Sequence, residues 1–206
     1  MITNATARIV GVGVAIALAS GCGGGGAGAI PDGPADDVVS SYTVTTSKGA
    51  ITMETHHSWA PNGVDRFGDL VAADFYTDAR FFRVISGFVA QFGINGTPST
   101  NAMWSSRTIA DDPVVRTNTR GYVTYAQTSD PNSRTTQLFI NTVDNSFLDD
   151  MGFAPFALVT DGMDIVDQLD AEYGEQPDQG MISASGNAYL TANFPNLDYI
   201  ISVTTP

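Results

Sequence analysis

Residues 81–93 read FFRVISGFVAQFG, and the reading of Arg83 within that run decides the fold. Arg83 is one of eight arginines, and its neighbours Phe81, Phe82, Val84, Ile85, Phe88 and Val89 have the look of a buried β-strand. Burying an unpaired guanidinium costs on the order of several kcal/mol. Arg83 must therefore be paired, exposed at a strand face, or aimed at a ligand.

The surrounding chain narrows the choice. Its 206 residues suit one domain with a sizeable core plus an appendage. A hydrophobic content of 43% with 15% charged residues is ordinary for a globular protein. Twenty-two Asp and Glu against nine Lys and Arg give a formal net charge of −13. That balance opposes phosphate backbones, and no basic stripe overrides it, so no nucleic-acid partner is expected. A single cysteine excludes an internal disulfide framework and any CxxC pattern. His56 and His57 are adjacent, point in different directions and have no third ligand nearby, so they are read as surface histidines at a strand end. No metal site and no cofactor are expected.

The first thirty-eight residues do not read as fold. Arg8 and the amino terminus supply positive charge, Ile9–Ala19 form a short apolar run, and Ala19, Ser20 and Gly21 precede Cys22. That layout is a secretory signal over residues 1–21, too short to span a bilayer comfortably. The LASGC ending resembles a bacterial lipobox, with Ala19 where Leu is usual, and implies lipidation of Cys22. GCGGGG satisfies GxGxxG as text, but no strand precedes it and no periodic helix follows, so dinucleotide binding fails on context. Residues 22–38 read as a Gly- and Pro-rich tether reaching about 20 Å. The expected location is the bacterial cell envelope, lipid-anchored and facing the periplasm or exterior; ordinary secretion is the alternative.

Residues 39–206 form the expected domain. Tyr42, Val44 and Thr46, the turn Ser47–Gly49, and Ile51 and Met53 read as a β-hairpin. Val64, Phe67, Leu70 and Val71 recur at helical spacing. Short strands are predicted at 82–85, 88–92, 122–126, 138–141 and 156–159, with a second helix at 163–169 and a last strand around 199–203. Residues 171–198, rich in Gly, Asn and Pro, read as a surface excursion. Many short strands, two separated helices and no βαβ rhythm predict a mainly β fold, an antiparallel barrel with helices over its ends.

The motifs then become specific. FFRVISGFVAQFG resembles the signature of the cyclophilins, and Ala60-Pro61, Phe67, Leu70 and Phe75-Tyr76 match the usual approach to it. RGYVTYAQTSDPNSRTTQLFINT (120–142), NSFLDDMGFAPFALVTDGMDIVDQL (145–169) and GNAYLTANFPNLDYI (186–200) resemble three further blocks, so the likeness covers residues 41–204. It implies a closed eight-stranded antiparallel β-barrel capped by two α-helices, and peptidyl-prolyl cis–trans isomerase activity that assists folding of exported proteins. Carried over residue by residue, Arg83 is the catalytic arginine and Gln91 stands beside it. Phe88, Val89, Phe139 and Leu148 line the proline pocket. Ala126, Gln127 and Gln137 border the backbone groove, and Phe147 and Phe153 close the rim. Partners are proline-containing polypeptides and, through the anchor, a membrane; a monomer is expected.

The chemistry accounts for those residue types. Twisting an X–Pro bond removes amide resonance against a barrier of about 18–20 kcal/mol. No bond breaks, so neither nucleophile nor base is needed; the twisted state must be favoured over both planar ones. Its pyramidal nitrogen gains a lone pair that a permanently charged guanidinium can meet. Against the family pattern, Phe82 replaces a frequent His, Leu138 a Phe, Gln127 an Asn or Arg, Phe92 a Gly and Phe147 a Trp. The competing readings are a non-catalytic proline-peptide binding or scaffold module of the envelope, and a hollow small-molecule barrel, which the bulky inward residues oppose.

Overall fold

Apolar residues two apart produce strands with one face turned inward, and the first hairpin shows how the sheet is built. The computed structural model describes residues 38–206. The signal, the lipobox with Cys22 and nearly all of the tether fall outside the described residues. β1 (Val38–Thr46) and β2 (Gly49–His56) pair antiparallel across the expected turn. The Thr46 hydroxyl accepts from the amides of Lys48 and Gly49 at 3.1 and 3.2 Å and fixes that turn. Tyr42, Val44, Ile51 and Met53 face the core.

α1 (Pro61–Ala72) starts with proline, whose missing N–H costs nothing in a first turn. Its free amides at Asn62 and Gly63 are met by the Asp112 carboxylate at 3.2 and 2.9 Å. Gly63, Val64, Phe67 and Leu70 form its buried face, with Phe67 packed against Tyr42 and Phe156. The remaining strands are β3 (Arg83–Ile85), β4 (Val89–Phe92), β5 (Tyr122–Tyr125), β6 (Leu138–Asn141), β7 (Pro155–Asp161) and β8 (Ile200–Thr204). α2 (Pro98–Ser105), unanticipated in the sequence, follows β4.

The strands form one sheet of order β3-β4-β6-β5-β7-β2-β1-β8, every pair antiparallel. The eight expected strands are present, but the expected closed barrel is an open, curled sheet. No ladder joins its edge strands β3 and β8. The chain just before each meets the other through a bridge between Arg80 and Tyr199 and the flanking bonds Phe81 N to Asp198 O, Ile200 N to Ala79 O and Asp78 N to Ile200 O. Asp78, at φ 62°, turns the chain through the left-handed region there, and a regular ladder cannot run through that conformation.

The second expected helix is also corrected. α3 is one turn, Met163–Val166, stopped short of Leu169. The segment read as a surface excursion carries α4 (Gln179–Asn193), which packs on α2. Asp178 caps α4 by accepting from the Met181 amide at 2.8 Å. Gly186 (φ 57°, ψ −145°) interrupts it, because its backbone lies against the Gly96 carbonyl, where a Cβ would come within 1.9 Å. Ile182 and Leu190 on its inner face join Phe82, Ile94 and Leu197 in a second apolar cluster.

His56 is another correction. It is buried at 4% exposure, stacked on Trp59 with ring centroids 3.6 Å apart, and is not a surface residue.

Candidate active site

The strand period answers the question posed by Arg83. In the β3–β4–β6–β5 ladder, Arg83 stands opposite Gln91, Gln91 opposite Phe139, and Phe139 opposite Thr124. The next row, Val84, Ala90, Ile140 and Val123, belongs to the main core. Successive side chains point to opposite faces, so the same strands that bury Val84 turn Arg83 outward.

On that outer face lies a separate apolar cluster of Val89, Phe139, Leu148 and Phe153, with Phe88 and Ala126 packed against it. Phe139 and Phe153 meet edge to face at 5.7 Å. Six of the residues assigned from sequence to the pocket, groove and rim thus come together. Phe147 is half exposed and stacks on Phe88 at 6.1 Å, so it flanks the cluster and does not join it. Gln127 sits at the edge, its side-chain amide donating to the Met151 carbonyl at 2.9 Å.

The Arg83 guanidinium lies 5.6 Å from the Phe88 ring centroid, within cation–π range. Its Nη1 donates to Gln91 Oε1 at 3.3 Å, Gln91 Nε2 donates to Gln137 Oε1 at 2.8 Å, and Gln137 Nε2 donates to Gln179 Oε1 at 3.2 Å. On its other side, Nε and Nη2 donate to Glu175 Oε2 at 3.4 and 3.3 Å. Arg83 is therefore paired as well as aimed outward. Sequence reasoning missed Glu175 and Gln179. An arginine among apolar neighbours announces a counter-ion, but no spacing rule selects one carboxylate from twenty-two across 92 residues.

A buried polar scaffold under the cluster was missed too. Asn145 Nδ2 donates to the Phe88 carbonyl at 3.0 Å and to Asn141 Oδ1 at 2.9 Å. Asn118 Nδ2 donates to the Phe153 carbonyl and to Asp149 Oδ1, both at 2.7 Å. These bonds fasten the 3-10 turn Ser146–Met151, which carries Phe147 and Leu148, to β6 through Asn141, and the Thr124 hydroxyl, donating to Asn118 Oδ1, ties the network to β5. Among the described residues, no group of three His, Cys, Asp or Glu side chains is placed to hold a metal ion.

The departures from the family pattern have structural reasons. Phe82 is buried among Ile94, Ile182, Leu190 and Leu197, in space that α4 creates. Phe92 fills the main core 5.1 Å from Phe81, and Leu138 is fully buried there. All three lie away from the outer face.

The family profile described as "Cyclophilin type peptidyl-prolyl cis-trans isomerase/CLD" matches residues 41–185, ending just before the block GNAYLTANFPNLDYI. Peptidyl-prolyl cis-trans isomerase B of Escherichia coli K12 is 34% identical over 171 residues, covering 79% of this chain and 97% of that protein. Peptidyl-prolyl cis-trans isomerase A of Dickeya dadantii is 37% identical over 137 residues, covering 61% and 68%. Among solved structures, a Cryptosporidium parvum cyclophilin-type isomerase superposes with TM-score 0.62 at 18% identity, over 81% of this chain and 97% of that one. Cyclophilin AquaCyp293 from Hirschia baltica gives 0.57 at 20%, over 80% and 73%; likeness at this identity concerns the fold alone. With a profile spanning well over half of its length and a relative matched almost end to end, the chain belongs to the cyclophilin-type peptidyl-prolyl cis-trans isomerase family.

Proposed function

We propose that this protein accelerates cis–trans isomerisation of X–Pro bonds in exported polypeptides. One observation carries the reading: the Arg83 guanidinium stands beside an apolar cluster that the strand alternation sets apart from the core. In this reading the proline ring lies on Phe88, Val89, Phe139 and Leu148, with Phe147 and Phe153 at the rim. Ala126, Gln127 and Gln137 border the peptide backbone. Arg83 donates to the amide nitrogen as it becomes pyramidal, and Gln91 holds the guanidinium toward it.

The guanidinium is fully charged at any working pH and needs no proton transfer, which suits a reaction in which no bond breaks. A donor fixed before the reaction stabilises the twisted amide more than either planar form, and only that difference raises the rate.

The test is Arg83→Ala in the full chain, assayed on a proline-containing peptide. Turnover falls on the order of 10²-fold or more, the usual cost of losing one preorganised donor, while far-UV circular dichroism is unchanged. Equal rates in two folded proteins would refute catalysis. A variant that binds peptide normally, from a wild type without turnover, would indicate the proline-peptide binding module.

We further infer that Cys22 is lipidated and tethers the domain to a membrane of the cell envelope, on the strength of LASGC and the glycine-rich stretch after it. One acyl chain binds only marginally, so stable anchoring needs more than one at this residue. Detergent-phase partitioning and the mass of residue 22 test it. Cys22→Ser leaves the detergent phase; identical partitioning and no lipid mass would mean plain secretion.

A further inference from the structure

We propose that Glu175 is a positioning residue for Arg83, an inference that rests on the isomerase reading of the same site. A guanidinium has five N–H donors in a rigid plane. Glu175 takes one from Nε and one from Nη2, and Gln91 takes one from Nη1. One N–H on each terminal nitrogen stays uncommitted. Those two are what a substrate can use, and the two held sides fix where they point.

Glu175 is itself held in place. Three residues later Asp178 caps α4. Two residues earlier Tyr173 packs edge to face on Phe194 at 5.2 Å. The first residue of α4, Gln179, receives the far end of the amide chain that runs from Arg83 through Gln91 and Gln137. One short stretch therefore grips the arginine from both ends of a continuous hydrogen-bonded row. Without Glu175 only Gln91 and the face of the Phe88 ring restrain a side chain with large rotamer freedom, and more of its orientation would fall on the reaction step. The carboxylate is 69% exposed against 15% for the guanidinium, so water and salt weaken the pair and its effect is modest.

The full chain and its Glu175→Ala and Glu175→Gln variants are compared on an uncharged X–Pro peptide, with Arg83→Ala as the baseline. The expected result is about a two- to fivefold fall in kcat for Glu175→Ala at unchanged KM, the scale of one exposed ion pair. Glu175→Gln, which keeps an acceptor oxygen, recovers at least half of the loss. Raising salt lowers wild-type kcat and leaves Glu175→Ala unaffected. An unchanged kcat overturns the proposal, as does a faster Glu175→Ala, which would make the carboxylate a competitor of the substrate.

A wild type without turnover defeats the isomerase reading separately. Positioning is then decided by the NMR signal of the Arg83 Nε–H. A signal that exchanges slowly in the wild type and is averaged in Glu175→Ala supports positioning, and the same signal in both overturns it.

Discussion

A fully buried asparagine is costly unless its polar atoms are met, and Asn118 satisfies that condition on every side. Its backbone and side-chain nitrogens both donate to Asp149, its side chain also reaches the Phe153 carbonyl, and its Oδ1 accepts from Thr124 at 2.8 Å. Asn118→Ala leaves partners stranded in a dry environment, at about 1–3 kcal/mol for each unmet group. The expected loss is about 2–4 kcal/mol, seen as a lower urea midpoint with unchanged slope. Turnover falls as well, because Phe153 and the turn bearing Leu148 lose their footing. Arg83, Gln91 and Phe88 could be singled out because one motif spanning β3 and β4 carries all three, and the fold sets them beside Phe139 and Phe153. Asn118 and Glu175 could not be, since each acts through a contact that only the folded chain creates.

At the scale of elements, α4 shows where composition misleads. Residues 171–198 are rich in Gly, Asn and Pro, and the helix breaks at Gly186, which dilutes its periodic signal. Yet Ile182, Gly186 and Leu190 stand four apart and share a buried face. Gly186 sits where it does because the Asn187 amide bonds the Gly96 carbonyl at 2.9 Å, bringing the two backbones together. Gly186→Ala meets that carbonyl and a backbone conformation that only glycine tolerates, a cost of about 2–3 kcal/mol. For a chain of this size that lowers Tm by roughly 5–10 °C. Calorimetry of the variant checks it, and a Tm within a degree of wild type would refute the clash. The hairpin, α1 and the strands were readable from alternation and turn chemistry; α2, too short and weakly patterned, was not.

Over the whole molecule, the core holds many aromatic side chains, two tyrosines among them set against each other. Burial pushes the Tyr76 hydroxyl well above its ordinary value near 10, an effect that contact with Tyr125 and the charge of Arg66 only partly oppose. Burial raises Tyr125 likewise, with Tyr76 adding to it. Both folded values exceed the unfolded one, so their contribution to stability is intact below about pH 10 and is lost above it, as the unfolded chain sheds protons that the native state must keep. Thermal denaturation should show a Tm that declines steadily above about pH 10. Tyr125→Phe should flatten that decline. The strand count and antiparallel pairing were legible from the sequence, whereas the missing ladder between β3 and β8 depends on a backbone turn at Asp78 that carries no hydrophobic signature.

The pairing of β1 with β8 also has a meaning in time. Thr46 lies opposite Ile200, 154 residues further along, so the first of the described strands waits for the last. At a synthesis rate of about 5–20 residues per second, that wait is on the order of ten to thirty seconds. Throughout it, one edge of β1 stays unpaired. A chain that cannot complete this ladder until β8 has been made keeps that edge of β1 open to other strands until then.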